Sequence, residues 1–250
     1  MHAAFVNIDG VLMPEGAAAY ADFLQDFKTH FGLIETILSE GGRLPHWNGH
    51  DHRLRTSMEA LGWPLHEEWP EQVYKEILAA LAANRLTGRA RIRLRVFKSS
   101  DQIHYLVESS GFPFERNAGL LNIGLAVGLA VTADEHSFMK NNQRAVYEAA
   151  ARQARERGFQ DMLLLNAAGH VVESAIANVF ILQDNRLRTP PLSDGCVQGV
   201  FRQGLLSGTI YFQGSRPEES PLTPGDIENA EAVFLGNALR GMRRVDNVFL

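Results

Sequence analysis

Short apolar segments joined by tight turns dominate this sequence and limit the folds that it can adopt. Two apolar runs flank Asp9-Gly10 in AAFVNIDGVLMP, which is the strongest local signal for a β-hairpin. GLIETILSEGGRLPHW repeats the pattern around Glu40-Gly41-Gly42, and further turns are expected at 167–169 and at Asp184-Asn185. Apolar residues at helical spacing occupy 48–62, 66–86, 141–158 and 199–206. Strands ordered as hairpins with interspersed helices favour an α+β fold with two sheets.

A turn-rich stretch in the middle of the chain indicates a domain boundary. SSGFPFERNAG, residues 109–119, contains a proline, two glycines and charged residues. RARIRLRVF before it predicts a half-buried strand, and LLNIGLAVGLAV after it predicts a buried one. We therefore predict a smaller N-terminal α/β domain over 1–112. A larger C-terminal domain of mixed, barrel-like β-sheet with helices is predicted over 113–250.

The composition excludes several classes of protein. The single cysteine, Cys196, excludes an intrachain disulfide and a multi-cysteine zinc site. No apolar run approaches the roughly 20 residues of a membrane span, and the first residues do not resemble a signal peptide. A cytoplasmic protein without a membrane partner is therefore expected. The net charge of −5 argues against a nucleic-acid partner.

The histidine-rich segment HWNGHDH does not predict a metal site. His46 and His50 are four residues apart, but His50 and His52 would face different sides of a helix. Capping and surface packing are the favoured roles.

Lys140 is a candidate nucleophile. It lies between the apolar segment SFM and a helix predicted to begin near Asn141. The positive end of a helix dipole disfavours a cation, so the pKa of an ammonium group there would be lowered. A neutral lysine amine attacks carbonyl groups. The alternative is an ordinary solvated lysine at a helix start.

Glu173 interrupts an apolar run, GHVVESAIANVFIL, that predicts a single strand over 169–182. A carboxylate buried in such a strand is costly unless it is paired. It would remain charged opposite a cation such as a protonated pyridine nitrogen. The alternative partner is one of the many arginines. Asn178 follows on the same run.

The segment TPPLSDGCVQGVFRQGLL predicts an anion site. Gly195 and Gly199 allow a ligand close to the backbone, and a helix is expected to begin around Val200, where exposed N–H groups would attract a phosphate. Arg53 would supply a bidentate charge to the same phosphate, unless it forms a surface salt bridge instead. An amine for an aldehyde, an acid for a ring nitrogen and a phosphate site together match pyridoxal 5′-phosphate.

Three stretches of the sequence resemble the fold type IV pyridoxal-phosphate enzymes, which include branched-chain and D-amino-acid aminotransferases and 4-amino-4-deoxychorismate lyase. GLIETILSEGGRLPHWNGHDHRLRTSMEALG is similar to the family's N-terminal stretch with its R-L-x-x-S helix. GHVVESAIANVF is similar to its E-x-x-x-x-N-[IV]-F strand, and the segment beginning TPPL to its phosphate loop.

The resemblance implies a role for each matching residue. Lys140 would form the Schiff base and shuttle the proton at the substrate α-carbon, and Glu173 would hold the pyridinium nitrogen. The resemblance also implies a homodimer with the cofactor between the two domains. The remaining cofactor contacts that it implies are Arg53, Asn178, Gly199, the backbone of Val200 and Phe201, and Asn237.

The substrate side of the site departs from the family pattern. Arg144 and Ala145 stand where branched-chain aminotransferases carry an Asn-Tyr pair, and the spacing from Lys140 to Arg144 is similar to the lyase. Glu35, in contrast, is an acid common among the aminotransferases. Substrate contacts are expected from Glu35, His30 and Ala238. The favoured function is a class IV aminotransferase acting on an amino acid and a 2-oxoacid; the alternatives are 4-amino-4-deoxychorismate lyase and a non-catalytic family member.

Overall fold

The computed structural model describes residues 4–113, 120–214 and 216–250. The chain divides into two compact units. The first comprises Met1–Glu115 with Lys140–Gln143, and the second Arg116–Met139 with Arg144–Leu250. The first unit is thus built from two separate stretches of sequence. Part of the linker predicted at 109–119 is strand, since 109–111 belong to a strand of the first unit, and 114–119 lie outside the described residues.

In its described residues, the first unit contains an antiparallel five-stranded sheet and three helices. The order in the sheet is β2-β1-β5-β4-β3. The strands are β1 (Phe5–Ile8), β2 (Val11–Pro14), β3 (Gly32–Glu40), β4 (Arg89–Ser99) and β5 (Gln102–Gly111). The helices are α1 (Ala18–Thr29), α2 (Trp47–Ala60) and α3 (Trp69–Ala83).

Alternation of residue types explains how this sheet packs. In β4 the apolar residues Ala90, Ile92, Leu94 and Val96 are buried, while the arginines between them lie on the other face. The predicted hairpin at Asp9-Gly10 is confirmed, and both residues have positive φ angles. The second predicted hairpin is wrong. After β3 the chain makes only an isolated bridge between Glu40 and Arg43 before α2 begins, and β3 pairs with β4.

The second unit contains two sheets in its described residues. One has the order β14-β6-β7-β8 and the other β11-β10-β9-β12-β13. The strands of the first are β6 (Asn122–Val131), β7 (Asp161–Asn166), β8 (Val171–Ser174) and β14 (Asn247–Phe249). Those of the second are β9 (Asn178–Gln183), β10 (Arg186–Thr189), β11 (Glu218–Glu219), β12 (Ala232–Asn237) and β13 (Gly241–Arg244). The helices are α4 (Ala145–Arg157), α5 (Val200–Ser207), α6 (Pro224–Glu228) and a 3-10 turn, Leu192–Asp194.

The α+β fold class is confirmed, but the described residues form three sheets rather than two. β6 and β7 are parallel and α4 connects them, so this part of the chain is a βαβ unit rather than a hairpin. The run 169–182 is not one strand. It divides into β8 and β9, which lie in different sheets, because the chain turns sharply between Ser174 and Ala177. Residues 174–177 include no glycine or proline, so the sequence contains no such signal for a turn there.

α4 begins later than the sequence predicts. Its first residue is Ala145, five positions after Lys140, whereas Asn141 forms a β-bridge with Leu33 of β3. Lys140 is therefore not at a helix start, and the argument from the helix dipole is wrong. The predicted end at Gly158, in the left-handed conformation, is confirmed.

Candidate active site

Lys140 lies on a short extended segment of the first unit, beside β3. The N–H of Ile34 donates to the Lys140 carbonyl at 2.7 Å. The Asn142 side chain donates to two carbonyl oxygens near the end of α1 and accepts from the N–H of Gly32. These bonds fix the backbone on both sides of the lysine. The half-buried Lys140 is thereby held next to the strand that carries Glu35.

Glu35 forms a buried ionic cluster with two residues of α2. Arg53 donates to both carboxylate oxygens, at 2.8 Å from Nε to Oε1 and through Nη2 to Oε2. His50 Nδ1 lies 2.6 Å from Glu35 Oε2. His50 and Arg53 are three residues apart and therefore share one face of α2. Arg53 is 7% exposed, so its ion pair is a buried one and not the surface salt bridge considered from the sequence.

Electrostatics keep this cluster in one protonation state near neutral pH. Burial alone would raise the pKa of Glu35, but the Arg53 charge and the hydrogen bond from His50 outweigh it and lower the pKa to about 2. Burial lowers the pKa of His50. A neutral His50 donates from Nδ1 to Glu35, and among the described residues Nε2 has no hydrogen-bond partner. Glu35 is thus ionised while His50 is neutral.

Glu173 lies on β8 in the second unit and is 4% exposed. The Tyr147 hydroxyl donates to Oε1 at 2.7 Å, and the N–H of Val197 donates to the same oxygen at 3.1 Å. The Asn178 amide donates to Oε2 at 3.1 Å. Three donors around a buried carboxylate favour its ionised form. They also orient it, because each comes from a different element or loop.

Tyr147 was not anticipated from the sequence. It lies on α4, and burial followed by the charge of Glu173 raises the pKa of its hydroxyl, which therefore remains a donor. The Arg144 guanidinium lies 4.1 Å from the centroid of the Tyr147 ring and donates to the Ala175 carbonyl at 3.2 Å. Nothing in an alanine-rich helix links a tyrosine to a carboxylate 26 residues away. His50 was also missed as the partner of Glu35, although its spacing from Arg53 was a usable signal.

α5 begins at Val200, as the sequence predicts. Gly199 precedes it, and no side chain caps the helix. A Cβ atom at Gly199 would lie 1.9 Å from Asn178 Oδ1, so only glycine fits beside that side chain. Phe201 packs its ring in an apolar cluster with Phe180 and Phe234, which leaves its backbone as the part available for polar contact. This arrangement suits an anion at the start of the helix.

The other three predicted residues have contacts of their own. Asn237 ends β12, and its side-chain amide donates to the Ile176 carbonyl at 3.2 Å. Ala238, which follows it, is buried. His30 follows α1; its Nδ1 lies 2.8 Å from the Asp26 carbonyl, and its ring is 5.2 Å from that of Phe97. The described contacts of the His30 side chain are therefore with its own helix and with the aromatic core of the first unit.

The residues present have the chemistry that pyridoxal phosphate requires. The second unit has a buried, triply hydrogen-bonded carboxylate and a helix start without a side-chain cap. The first unit has a lysine amine on a fixed backbone and a buried arginine. In the described residues, no cluster of three or more His, Cys, Asp or Glu side chains is arranged to hold a metal ion. None of the helices described is long and apolar enough to cross a membrane.

Comparison with known proteins matches this chain to one family, at the level of sequence and of structure. Residues 32–248 match the family described as amino-transferase class IV. An aminodeoxychorismate lyase of Vibrio harveyi is 25% identical, over 90% of this chain and 85% of its own length. A probable branched-chain-amino-acid aminotransferase of Rickettsia felis is 27% identical, over 98% of this chain and 87% of its own. The crystal structure of a branched-chain aminotransferase from Thermoproteus uzoniensis superimposes with a TM-score of 0.81, at 22% identity, covering 99% of this chain and 88% of that one.

Proposed function

Because the chain belongs to the amino-transferase class IV family, whose members depend on pyridoxal phosphate, we propose that it transfers an amino group between an amino acid and a 2-oxoacid. The observation that carries the cofactor assignment is Glu173, an acid held in an apolar sheet by three donors. When bound, the cofactor supplies an electrophilic carbon and a ring that accepts electrons from the substrate. The residues discussed below bind it and move protons.

Two residues would carry the chemistry. Glu173, in its ionised form, would keep the ring nitrogen protonated, because a carboxylate favours a neighbouring cation. Lys140 would hold the cofactor covalently through its amine. Once the substrate replaces it, the freed amine would remove the α-proton and return it, as a general base held at short range.

Phosphate binding would use both a charge and backbone donors. Arg53 would supply the charge, already oriented by its bidentate pair with Glu35. The N–H groups of Val200 and Phe201, at the start of α5, would supply the donors. Gly199 and Asn178 would hold the loop in place through their close contact, and Asn237 would act near the same site.

The aminotransferase is favoured over the lyase by Glu35, because this acid is common among the aminotransferases that the sequence resembles, whereas the enteric type of lyase has a threonine there. A lyase remains the second candidate, because the Vibrio harveyi relative is named as one and because Arg144 follows Lys140 at the lyase spacing. Substrate contacts from Glu35, His30 and Ala238 belong to this proposal. Incubation of the purified protein with amino donors and 2-oxoacids, and separately with aminodeoxychorismate, distinguishes the two reactions. Amino transfer supports our proposal, and elimination alone would contradict it.

The covalent attachment has a direct chemical test. The chain has four lysines, so borohydride reduction with bound cofactor followed by peptide mapping should find the pyridoxyl group on Lys140 and not on Lys28, Lys75 or Lys98. Lys140→Ala should abolish the labelling, while Lys75→Ala, at an exposed position, should leave it unchanged. Labelling of a different lysine would refute the assignment.

We also propose the wider organisation that the family resemblance implies. The domains would be 1–112 and 113–250, the assembly a cytoplasmic homodimer, and the substrates small molecules. A solution mass near twice 27.8 kDa by light scattering would support the dimer, and a monomer at micromolar concentration would exclude it.

A further inference from the structure

Asp161 is a buried acid to which the proposed function assigns no task. It is the first residue of β7 and is 3% exposed. The Ser174 hydroxyl donates to its Oδ2 at 2.6 Å. The N–H groups of Met162 and Ala175 donate to its Oδ1 at 2.8 and 3.1 Å. Most of these donors belong to one turn.

That turn, residues 174–177, connects two residues of the proposed cofactor site. Glu173 lies on β8 immediately before it, and Asn178 begins β9 immediately after it. Within the turn, the Ser174 N–H donates to the Ala177 carbonyl at 2.8 Å, and the Ala177 N–H donates to Ser174 Oγ at 3.0 Å. Since β8 and β9 lie in different sheets, the path of this turn sets where the two side chains meet.

The turn is held from outside by three side chains. Asp161 accepts a hydrogen bond from the Ala175 N–H, whereas Arg144 donates to the Ala175 carbonyl and Asn237 to the Ile176 carbonyl, both at 3.2 Å. Both the donors and the acceptors of its backbone are thus engaged. Of these three side chains, Asp161 is the one that contacts Ser174, the residue next to Glu173.

Asp161 is costly in its ionised form. Its described hydrogen-bond partners are all neutral O–H and N–H groups, and burial raises its pKa to about 6. A buried carboxylate without a counter-ion reduces stability. A group retained at such a cost commonly serves a functional site rather than the core.

We propose that Asp161 is a positioning residue: by holding the 174–177 turn, it fixes the Glu173 carboxylate in the orientation that the cofactor ring requires. The proposal rests on the cofactor-binding function argued above. Its effect on the reaction passes entirely through Glu173 and Asn178, because Asp161 itself would touch neither cofactor nor substrate.

The test compares Asp161→Asn with Asp226→Asn. Asp226 is also a hydrogen-bonded aspartate of the second unit, but its side chain completes the capping box of α6 by accepting from the Thr223 N–H, and none of its described contacts is with the turn. For each variant we would measure the pyridoxal-phosphate dissociation constant, the visible spectrum of the bound cofactor, and kcat and KM for the amino donor. Hydrogen exchange of the amides of 175–177 would report on the turn.

We expect Asp161→Asn to weaken cofactor binding roughly tenfold, the effect of losing one or two hydrogen bonds to a charged acceptor. The visible band should shift, kcat should fall with little change in KM, and the turn amides should exchange faster. Asp226→Asn should match the wild type in all four measurements. Ser174→Ala, which removes one donor to Asp161, should show the same changes to a smaller degree, and it carries the test if Asp161→Asn does not fold.

Two failures are distinguishable. Wild-type affinity and spectrum in Asp161→Asn, or in Ser174→Ala where that variant carries the test, would overturn this inference alone. Absence of cofactor binding by the wild-type protein would overturn the proposed function and this inference with it.

Discussion

At the scale of single residues, the Glu35 cluster fixes the orientation of the Arg53 guanidinium group. An arginine with a free side chain samples many rotamers, whereas Arg53 is fixed by two hydrogen bonds to one carboxylate. Such preorganisation lowers the entropic cost of binding an anion. Glu35 therefore contributes to the site by orienting the group that binds, as well as by any contact with substrate.

Glu35→Gln should destabilise the first unit, because it removes the charge that Arg53 pairs with. We expect a loss of about 3 kcal/mol in the free energy of unfolding near neutral pH, as for other broken buried ion pairs. In the wild-type protein the pKa of the Glu35 carboxyl is about 2, against an ordinary 4.5. The difference in the free energy of unfolding between wild type and Glu35→Gln should therefore shrink as the pH falls from 4.5 to 2. Urea unfolding at several pH values measures it.

The exposed pair of Glu71 and Lys75 supplies the control. Glu71→Gln should change stability little at any pH, because water screens a surface pair. A similar loss in both variants would mean that the Glu35 cluster has no special role.

Asp161 should show the opposite dependence on pH. Its pKa is raised to about 6 from an ordinary 3.8, so the folded state holds the proton more tightly than the unfolded chain. The stability that this acid contributes is present below pH 3.8 and is lost as the pH rises to 6. The asparagine side chain of Asp161→Asn does not titrate. The free energy of unfolding of this variant, relative to that of the wild type, should therefore increase by about 3 kcal/mol between pH 3.8 and pH 7. A constant difference across that range would contradict the assignment.

A charged residue within an apolar run can be recognised from the sequence, but its hydrogen-bond and ion-pair partners cannot. Glu173 stands out because an acid in an apolar run needs an explanation. Tyr147 and Val197 do not stand out, because their role depends on how the chain brings distant segments together. The same limit explains why Arg53 was identified without Glu35 as its counter-ion.

At the scale of elements, the start of α5 depends on a contact that no side chain larger than glycine allows. Gly199→Ala should push the Asn178 side chain away, since the added Cβ would lie 1.9 Å from Oδ1. We expect a loss of about 1–3 kcal/mol in stability from overpacking, together with weaker cofactor binding. Gly225→Ala is the matched control, because a Cβ there meets nothing closer than 3.7 Å. Thermal unfolding and cofactor titration measure both effects, and equal behaviour of the two variants would refute the prediction.

Element types followed from periodicity, whereas the points at which elements begin and break depended on tertiary contacts. α2 and α3 form where apolar residues recur at helical spacing. α4 starts late because Asn141 and Asn142 bond to the first unit, which holds the backbone extended. The turn that divides 169–182 into β8 and β9 is hydrogen-bonded to Asp161, a residue outside that run.

At the scale of the whole molecule, cofactor and stability should be linked. A ligand that binds only the folded state adds about 2.7 kcal/mol to the free energy of unfolding at 100 times its dissociation constant. Removal of pyridoxal phosphate by dialysis with hydroxylamine should therefore lower the melting temperature of the wild-type protein, and adding it back should restore it. Lys140→Ala should show a smaller shift, since the covalent attachment is lost. Equal shifts in both proteins would mean that Lys140 does not contribute to binding.

The α+β class was predictable because strand and helix periodicities are local, but the assembly of sheets was not. Strand order such as β2-β1-β5-β4-β3 follows from pairing between segments far apart in sequence. A local pattern identifies a hairpin such as β1-β2, but it does not show which distant strand an edge pairs with or which sheet a strand joins.

The return of residues 140–143 to the first unit has a consequence for dissecting this protein. Within this segment the backbones of Lys140 and Asn142 bond to β3 on either side of the Asn141 bridge, and β3 is the last strand of its sheet, so the segment covers part of an edge that would otherwise expose unpaired N–H and C=O groups. A fragment ending at residue 112 would lack residues 140–143, so the unpaired backbone groups of β3 would be exposed to other chains. Expressed alone, such a fragment should self-associate, and a stable version would need the tetrapeptide grafted back through a linker.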